Sequence, residues 1–582
     1  MDTNTVLWDL TELYRGADDP QFLADQRWCR QEATALANAY GGRVRELAAG
    51  DLAALLQRLE ALEGRLTRLA AFTFLDFITR TGDEAASARQ QQVEELAGQV
   101  GADSVFFELE WNLLPDDQVA TLLSRAELAP WRHHLRRLRR HAPHQLSQAE
   151  ERLWRELAPV GRASWLTLFE KVLGQMRFGP QGRTEEEVLS DLHHPERERR
   201  RTAAAELAAG LTGQSQVLCH ICNTLAAEKM IADRLRAYPG WLSARNLDNE
   251  VADSVVETMV AAVRSRYDIV QRHYRAKGGL LGLTPLYDYD RYAPVPGLET
   301  APIPWGRCRE TILASFAGFS PRLAELAEQF FTRPWIHAPL AAGKRGGAFA
   351  HPCVPELHPY LMVNYAGTLD DVSTVAHEVG HGVHQLLAAR QGLFQCEPTL
   401  FLAETASVFA ELLLFHAQVA TLTGTARRAF ICRKLESIFA TVFRQVAMHR
   451  FEELVHTARR DRGELSLENI SRCWIESQQE MFGDSLTLTP DYAIAWSYIP
   501  HFLATPGYVH CYAFAELLVL GLYARHLATG EAFVADYFAL LAAGGSATPD
   551  ALLAPFGIRL DDPSFWQAGL DHIDRMGEEL WG

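Results

Sequence analysis

The stretch from Leu369 to Arg390 constrains this chain more than any other, because it carries His377-Glu378-Val379-Gly380-His381. On an α-helix His377 and His381 are four residues apart, so their imidazoles share one face about 6 Å from each other. Two neutral imidazole nitrogens so placed reach one zinc ion at about 2.0–2.1 Å. Glu378 points roughly 100° around from His377, beside such an ion rather than on it. A carboxylate there takes a proton from metal-bound water. The flanking Val372, Val375, Ala376, Val379, Val383, Leu386 and Leu387 predict a largely buried helix, with Asp370 and Asp371 capping its start. A buried helix bearing two histidines and a glutamate needs partners for them, and a metal supplies one.

A hydrolytic zinc site keeps three protein ligands and one open position. Two downstream carboxylates compete for the third place. Glu397 follows Gln395-Cys396 and precedes Pro398, which reads as a connection. Glu404 lies in Phe401–Phe415, an apolar helical pattern in which Glu404, Ser407, Val408 and Glu411 share a face. Glu404 is therefore the expected ligand, and Glu411 the carboxylate that orients a histidine. His384 sits too far along the axis to join both histidines and reads as a hydrogen-bonded core residue.

His377-Glu378-Val-Gly-His381 followed by Glu404-x-x-Ser407-x-x-x-Glu411 resembles the oligoendopeptidase F family of thimet-oligopeptidase-like zinc metallopeptidases. Gly347-Ala348-Phe349 and Pro359–Tyr365 are similar to that family's glycine loop and the strand before its zinc helix. Trp496–His501 and Tyr508–Tyr512 resemble its substrate-side segment, and Trp8–Leu13 its N-terminal signature. The resemblance implies a mainly α, two-lobed metallopeptidase with a deep substrate channel and a small β-sheet beside the zinc helix. It implies one zinc per chain, held by His377, His381 and Glu404, and cleavage of internal bonds of short unstructured oligopeptides. Glu378 would be the base, and the tetrahedral oxyanion would be met by Tyr512 and His501. Tyr508, His510, Gly347 and Ala348 would bind substrate. His510 stands where the family has a third tyrosine, so the division of labour among His501, Tyr508, His510 and Tyr512 stays open.

The rest of the chain sets bounds. With 582 residues, 48% hydrophobic and 22% charged, it reads as an ordinary globular protein, either several domains or one large lobed enzyme. A net charge of −17 argues against nucleic acid as a general partner. Met1–Thr5 lacks the basic start of a signal peptide, and no stretch reaches about 18 uninterrupted apolar residues, so neither export nor a membrane is expected. Nine cysteines, an odd and sparse count, fit reduced thiols in a cytoplasm. Cys219-His-Ile-Cys222 has zinc-like spacing without a second pair and reads as packing.

Leu56, Leu59, Leu62, Leu66 and Leu69 predict a helical N-terminal lobe over 1–194, with the catalytic domain over 195–582. Long helices are expected over Thr202–Tyr238, Asp248–Lys277 and Trp305–Phe331. Arg132–Arg140 reads as a solvated basic face, and Gly343–Gly347 as a mobile glycine loop rather than a phosphate loop. Tyr360–Tyr365 is the best strand, with an exposed edge available to an extended peptide. The rival readings are a zinc aminopeptidase of another family and a peptide-binding protein with a non-catalytic zinc site.

Overall fold

The N-terminal leucine pattern builds a three-helix layer. In the computed structural model, which describes residues 3–297 and 301–581, α1 (Pro20–Tyr40) starts with Pro20 in its first turn and Asp19 accepting a hydrogen bond from Gln21 N. The second helix, α2 (Ala49–Ile78), buries Leu56, Leu59, Leu62, Leu66 and Leu69 on the side facing α1 and α3 (Glu84–Ser104). Each buried leucine contributes roughly 1.5–3 kcal/mol, so this stripe alone outweighs any preference of the exposed positions. Tyr14, Phe22 and Phe72 close one end with rings 5.2–5.5 Å apart at steep angles.

Two units partition the chain. Met1–Gln145, Thr300–Ala420 and Arg525–Ile558 form one, and Leu146–Glu299, Thr421–Ala524 and Arg559–Gly582 form the other. The boundary expected at His194-Pro195 falls inside the second unit, just before the helix Arg197–Gly213. Proline and local turns divide the expected long helices. Thr202–Tyr238 falls into Arg197–Gly213 and Ser215–Leu235, and Asp248–Lys277 into Asp253–Arg264 and Tyr267–Leu281. Trp305–Phe331 breaks at Ser320 (φ −159°), which Pro321 keeps out of the helical region. In the basic run Leu135 is buried, and Arg139 donates to the carbonyls of Trp111 and Leu114 as well as to Asp116.

A small sheet sits in the first unit, with β1 (Ile336–His337), β2 (Phe349–His351) and β3 (Tyr360–Met362) in the order β1-β3-β2. The expected strand over Tyr360–Tyr365 is thus three residues long and central, parallel to β1 and antiparallel to β2. It has no free edge for a peptide; in this sheet the outer edges belong to β1 and β2. The glycine loop before β2 is tied down at many points. Gly343 O accepts from Thr81, Arg345 N donates to Ile78 O, and Asn364 donates to the carbonyls of Arg345 and Gly347. Lys344 Nζ donates to three carbonyls, and burial lowers its pKa to about 8.

Helix α4 (Leu369–Ala388) follows the sheet. Thr368 is its cap, where Asp370 or Asp371 was expected; Asp371 instead completes a capping box by accepting from Thr368 N at 2.9 Å. The next helical stretch is two helices, α5 (Leu400–Ala403) and α6 (Thr405–Val419), parted by Glu404 at φ −83°, ψ 1°. By length and composition Leu400–Val419 is apolar enough to cross a membrane, and 61% of it is buried within the protein. Gly380 lets α4 and α6 meet backbone to backbone: a Cβ there would lie 2.6 Å from Ala406 O and 2.7 Å from Ser407 Cα. Gly380→Ala should therefore destabilise the protein by about 1–3 kcal/mol. Gly98→Ala in α3, whose methyl meets nothing, should stabilise it by about 0.5–1 kcal/mol. Denaturant melts of the two variants check the contrast, and an unaffected Gly380→Ala would refute the close approach.

Candidate metal centre

The α4–α6 contact decides what stands opposite the two histidines. His377 and His381 project from successive turns of α4 with ring centroids 4.8 Å apart. Glu404, at the break between α5 and α6, brings Oε2 to 3.4 Å from His377 Nε2 and 3.2 Å from His381 Nε2. Tetrahedral bonds of about 2.0–2.1 Å separate ligand atoms by about 3.3 Å. Both histidine-to-carboxylate separations are therefore at the spacing a single zinc-sized cation requires, and ligand atoms of all three residues lie within 4.8 Å of one another. Glu397, the competing carboxylate, lines the same cavity from the connection but is exposed, and it forms no ion pair with either histidine among the described residues.

Carboxylates and hydroxyls behind the three fix their directions. Glu411 Oε1 lies 2.7 Å from His377 Nδ1, and Ser373 Oγ donates to Glu411 Oε2 at 3.2 Å. A carboxylate only accepts, so His377 Nδ1 carries a proton and donates to Glu411, which directs Nε2 towards Glu404. Ser407 Oγ donates to Glu404 Oε2 at 2.7 Å. Ser373 is the residue the sequence reading passed over; its signal was the spacing Ser373, His377, His381, one turn between each.

The cluster is electronegative. Burial disfavours a charged His377, but the hydrogen bond to Glu411 and the charges of Glu411, Glu404 and Glu378 outweigh it and raise its pKa to about 9. Glu404 is desolvated too, yet its histidine neighbours and Ser407 hold its pKa near 2. Glu378 is buried, burial pushes its pKa up, and its Oε2 has no hydrogen-bond partner. Two imidazole nitrogens, a carboxylate oxygen and a second unsatisfied carboxylate form a donor set that fits a divalent cation. His384 is buried, and burial pushes its pKa down to about 4 against the opposing effect of its hydrogen bond to the Ala403 backbone.

A second trio of such donors, His273, Cys432 and Glu436, occurs among the described residues. There Lys277 is fully buried and donates to Glu436, so an ammonium already supplies the positive charge.

A cavity of about 480 Å³ opens beside the first cluster. His377, Glu378, His381 and Glu404 line one side, and Ala348, Phe349 and Ala350 another. Gly347 does not line it and is engaged through its carbonyl with Asn364. Gln385 Nε2 donates to Ala350 O at 3.3 Å.

In the second unit three further predicted residues meet. His501 Nε2 lies 3.3 Å from the Tyr512 hydroxyl, and the Tyr508 and Tyr512 rings are 5.1 Å apart, all three partly exposed. His510 is 0% exposed and packs against His449 at 5.2 Å, which leaves it no open face for a peptide. Burial holds its pKa well below the ordinary imidazole value.

Two family models match the chain: "Peptidase family M3" over residues 322–572 and "Oligopeptidase F" over residues 110–178. Oligopeptidase PepF of Bacillus subtilis is 23% identical over 96% of this chain and 85% of its own length. An oligoendopeptidase F homolog of Lactococcus lactis is also 23% identical, over 99% and 97%. Among solved structures, a Chlamydophila abortus protein superposes with a TM-score of 0.87 at 22% identity, covering 100% of this chain and 98% of that one. Oligoendopeptidase-F of Enterococcus faecium gives 0.72 at 19% identity, with coverages of 96% and 98%.

The geometry separates the two candidate carboxylates. Glu404→Ala should strip most of the bound divalent metal, and Glu397→Ala should leave metal content unchanged. Metal analysis of the dialysed variants measures this, and the reverse pattern would move the ligand into the connection.

Proposed function

Because the chain belongs to peptidase family M3, we propose that this peptidase is a zinc-dependent endopeptidase, cutting internal bonds of short unstructured oligopeptides. The observation that carries this reading is Glu404 Oε2 at 3.4 Å from His377 Nε2 and 3.2 Å from His381 Nε2, with the unpartnered Glu378 Oε2 beside them. One zinc ion held by those three ligands would supply a Lewis acid that polarises the scissile carbonyl and acidifies water. Glu378 removes the proton from the attacking water and returns it to the leaving amine nitrogen. Its burial favours this, since a carboxylate with a raised pKa is a stronger base than an exposed one.

Glu411 keeps His377 in the tautomer that presents Nε2, and Ser407 fixes the direction of Glu404. Ala348 and β2 contact the substrate backbone from the cavity wall, with Gly347 setting the entry to that strand. Tyr512 donates to the oxygen that gains negative charge, and His501 and Tyr508 hold the substrate; the support is the hydrogen-bonding distance between His501 and Tyr512 and their shared exposure. His510 contributes packing behind them. Nine unpaired cysteines support a reducing compartment, the cytoplasm.

Glu378→Gln should keep its metal and lose turnover by about 10²–10⁴-fold, since only the base is removed. A peptide library with blocked N-termini, its products read by mass spectrometry, should still be cut internally by the wild type. Dependence on a free N-terminus would favour an aminopeptidase instead. Tyr512→Phe should lower kcat by about 10²–10³-fold with little change in KM, the cost of one oxyanion donor. Near-normal kcat in that variant, with collapse in Tyr508→Phe or His501→Phe, would transfer the role.

A further inference from the structure

Two arginines in the second unit, Arg291 buried and Arg444 half-buried, form no ion pair with an acid among the described residues. Arg291 is 8% exposed; its Nη1 donates to the Tyr492 hydroxyl at 2.6 Å, and its Nε has no hydrogen-bond partner. Arg444 donates from Nη1 to the Tyr292 hydroxyl at 2.6 Å. The Tyr292 ring lies close to both, its centroid 4.5 Å from the Arg291 guanidinium carbon and 5.8 Å from that of Arg444. Among the described residues neither guanidinium forms an ion pair with a carboxylate; the polar neighbours of each are chiefly tyrosines, with Asp288 interacting with Arg291 at longer range.

The acids nearby are already engaged. Glu436 Oε1 accepts from Lys277, whose ammonium also donates to Arg291 O, and Asp288 Oδ1 accepts from Thr489 N at 2.8 Å. Setting Lys277, Arg291 and Arg444 against Glu436 and Asp288, three cations against two anions, leaves one positive charge uncovered. Arginine cannot shed that charge by losing a proton. A desolvated guanidinium without a counter-charge is the arrangement buried ion pairs are built to avoid.

A cavity of about 50 Å³ adjoins the pair, lined by Arg291, Arg444, Tyr274, Tyr292, Glu436 and Gln478 among others. One water needs about 10–15 Å³ of such space, so the cavity admits one small ion with a water or two. Pockets for peptides or nucleotides start near 300 Å³. A neighbouring cavity of about 40 Å³ also touches Arg291, but two carboxylates, Asp288 and Asp491, line it, against the single Glu436 in the first cavity, which Lys277 already engages.

We propose that the cavity lined by Arg291 and Arg444 binds a single small inorganic anion of the halide class. The guanidinium N–H groups meet it, and Tyr274 and Gln478 line it with neutral donors. Tyr492, to which Arg291 donates, belongs to the 3-10 helix Pro490–Tyr498, which ends three residues before His501, so the anion acts on that segment through Arg291. The site stands apart from the peptidase reading and is tested without activity.

Thermal melts of the whole protein in sodium chloride, with sodium gluconate holding ionic strength constant, should show a saturable rise in Tm of about 2–4 °C. Arg444→Gln should abolish that dependence. Crystals soaked in sodium bromide should give an anomalous peak in the cavity, a measurement on wild type that decides the matter if the variant does not fold. A chloride-independent Tm with no bromide peak overturns the proposal. So does a tyrosinate absorbance in the native protein at neutral pH that disappears in Tyr292→Phe, because the chain would then supply the counter-charge itself.

Discussion

Everything at the candidate metal centre depends on one close approach, that of Gly380 in α4 to Ala406 and Ser407 in α6. A helix pair separated by ordinary side chains keeps its axes about 8–10 Å apart, and a Glu404 carried on the second helix would then fall short of two imidazoles at once. Removing the Cβ at Gly380 removes the spacer. Gly382 plays the same part towards another neighbour, since a Cβ there would press on the Phe330 ring at 2.5 Å. One variable position of the motif, Gly380, and the glycine just after the motif, Gly382, are thus constrained by packing as firmly as the histidines are by chemistry.

Buried charge is treated in three ways in this chain. At Lys277 and Glu436 the protein supplies both signs itself. At His377, His381 and Glu404 it supplies donors and an excess of carboxylate, held by contacts between histidines and glutamates. At Arg291 and Arg444 it supplies cations faced mainly by tyrosines. Desolvation penalises an uncompensated charge by several kcal/mol, so the second and third arrangements each call for an ion from solution, of opposite sign in the two cases.

The chemistry of the site was legible because it is local. His377, Glu378 and His381 follow from spacing on one helix, and Glu404 was separable from Glu397 because one lies in a periodic apolar run and the other in a connection beside proline. What could not be read is non-local. The apolar pattern runs unbroken through Glu404, yet the chain bends there so that its carboxylate faces α4. Tyr360–Met362 reads as a strand from its composition, but its central position depends on partners of two and three residues, too short to show alternation. Periodicity likewise contains nothing about which distant segments return to one unit, so a single cut near residue 194 could not describe a division into three pieces each. His510 was drawn towards the substrate by its place in a motif, whereas its helix turns it inward against His449.

The segment Leu400–Val419 has the length and mean hydropathy, 1.5, of a transmembrane helix. Its two formal charges are Glu404 and Glu411, the residues that face the histidines. On insertion scales an acidic residue at the centre of such a span costs about 2.5–3.5 kcal/mol. The carboxylates that face the histidines are thus also the two charges that interrupt an otherwise apolar twenty-residue segment, so an apolar replacement at either position would leave the composition of a membrane span where the metal centre needs a polar group.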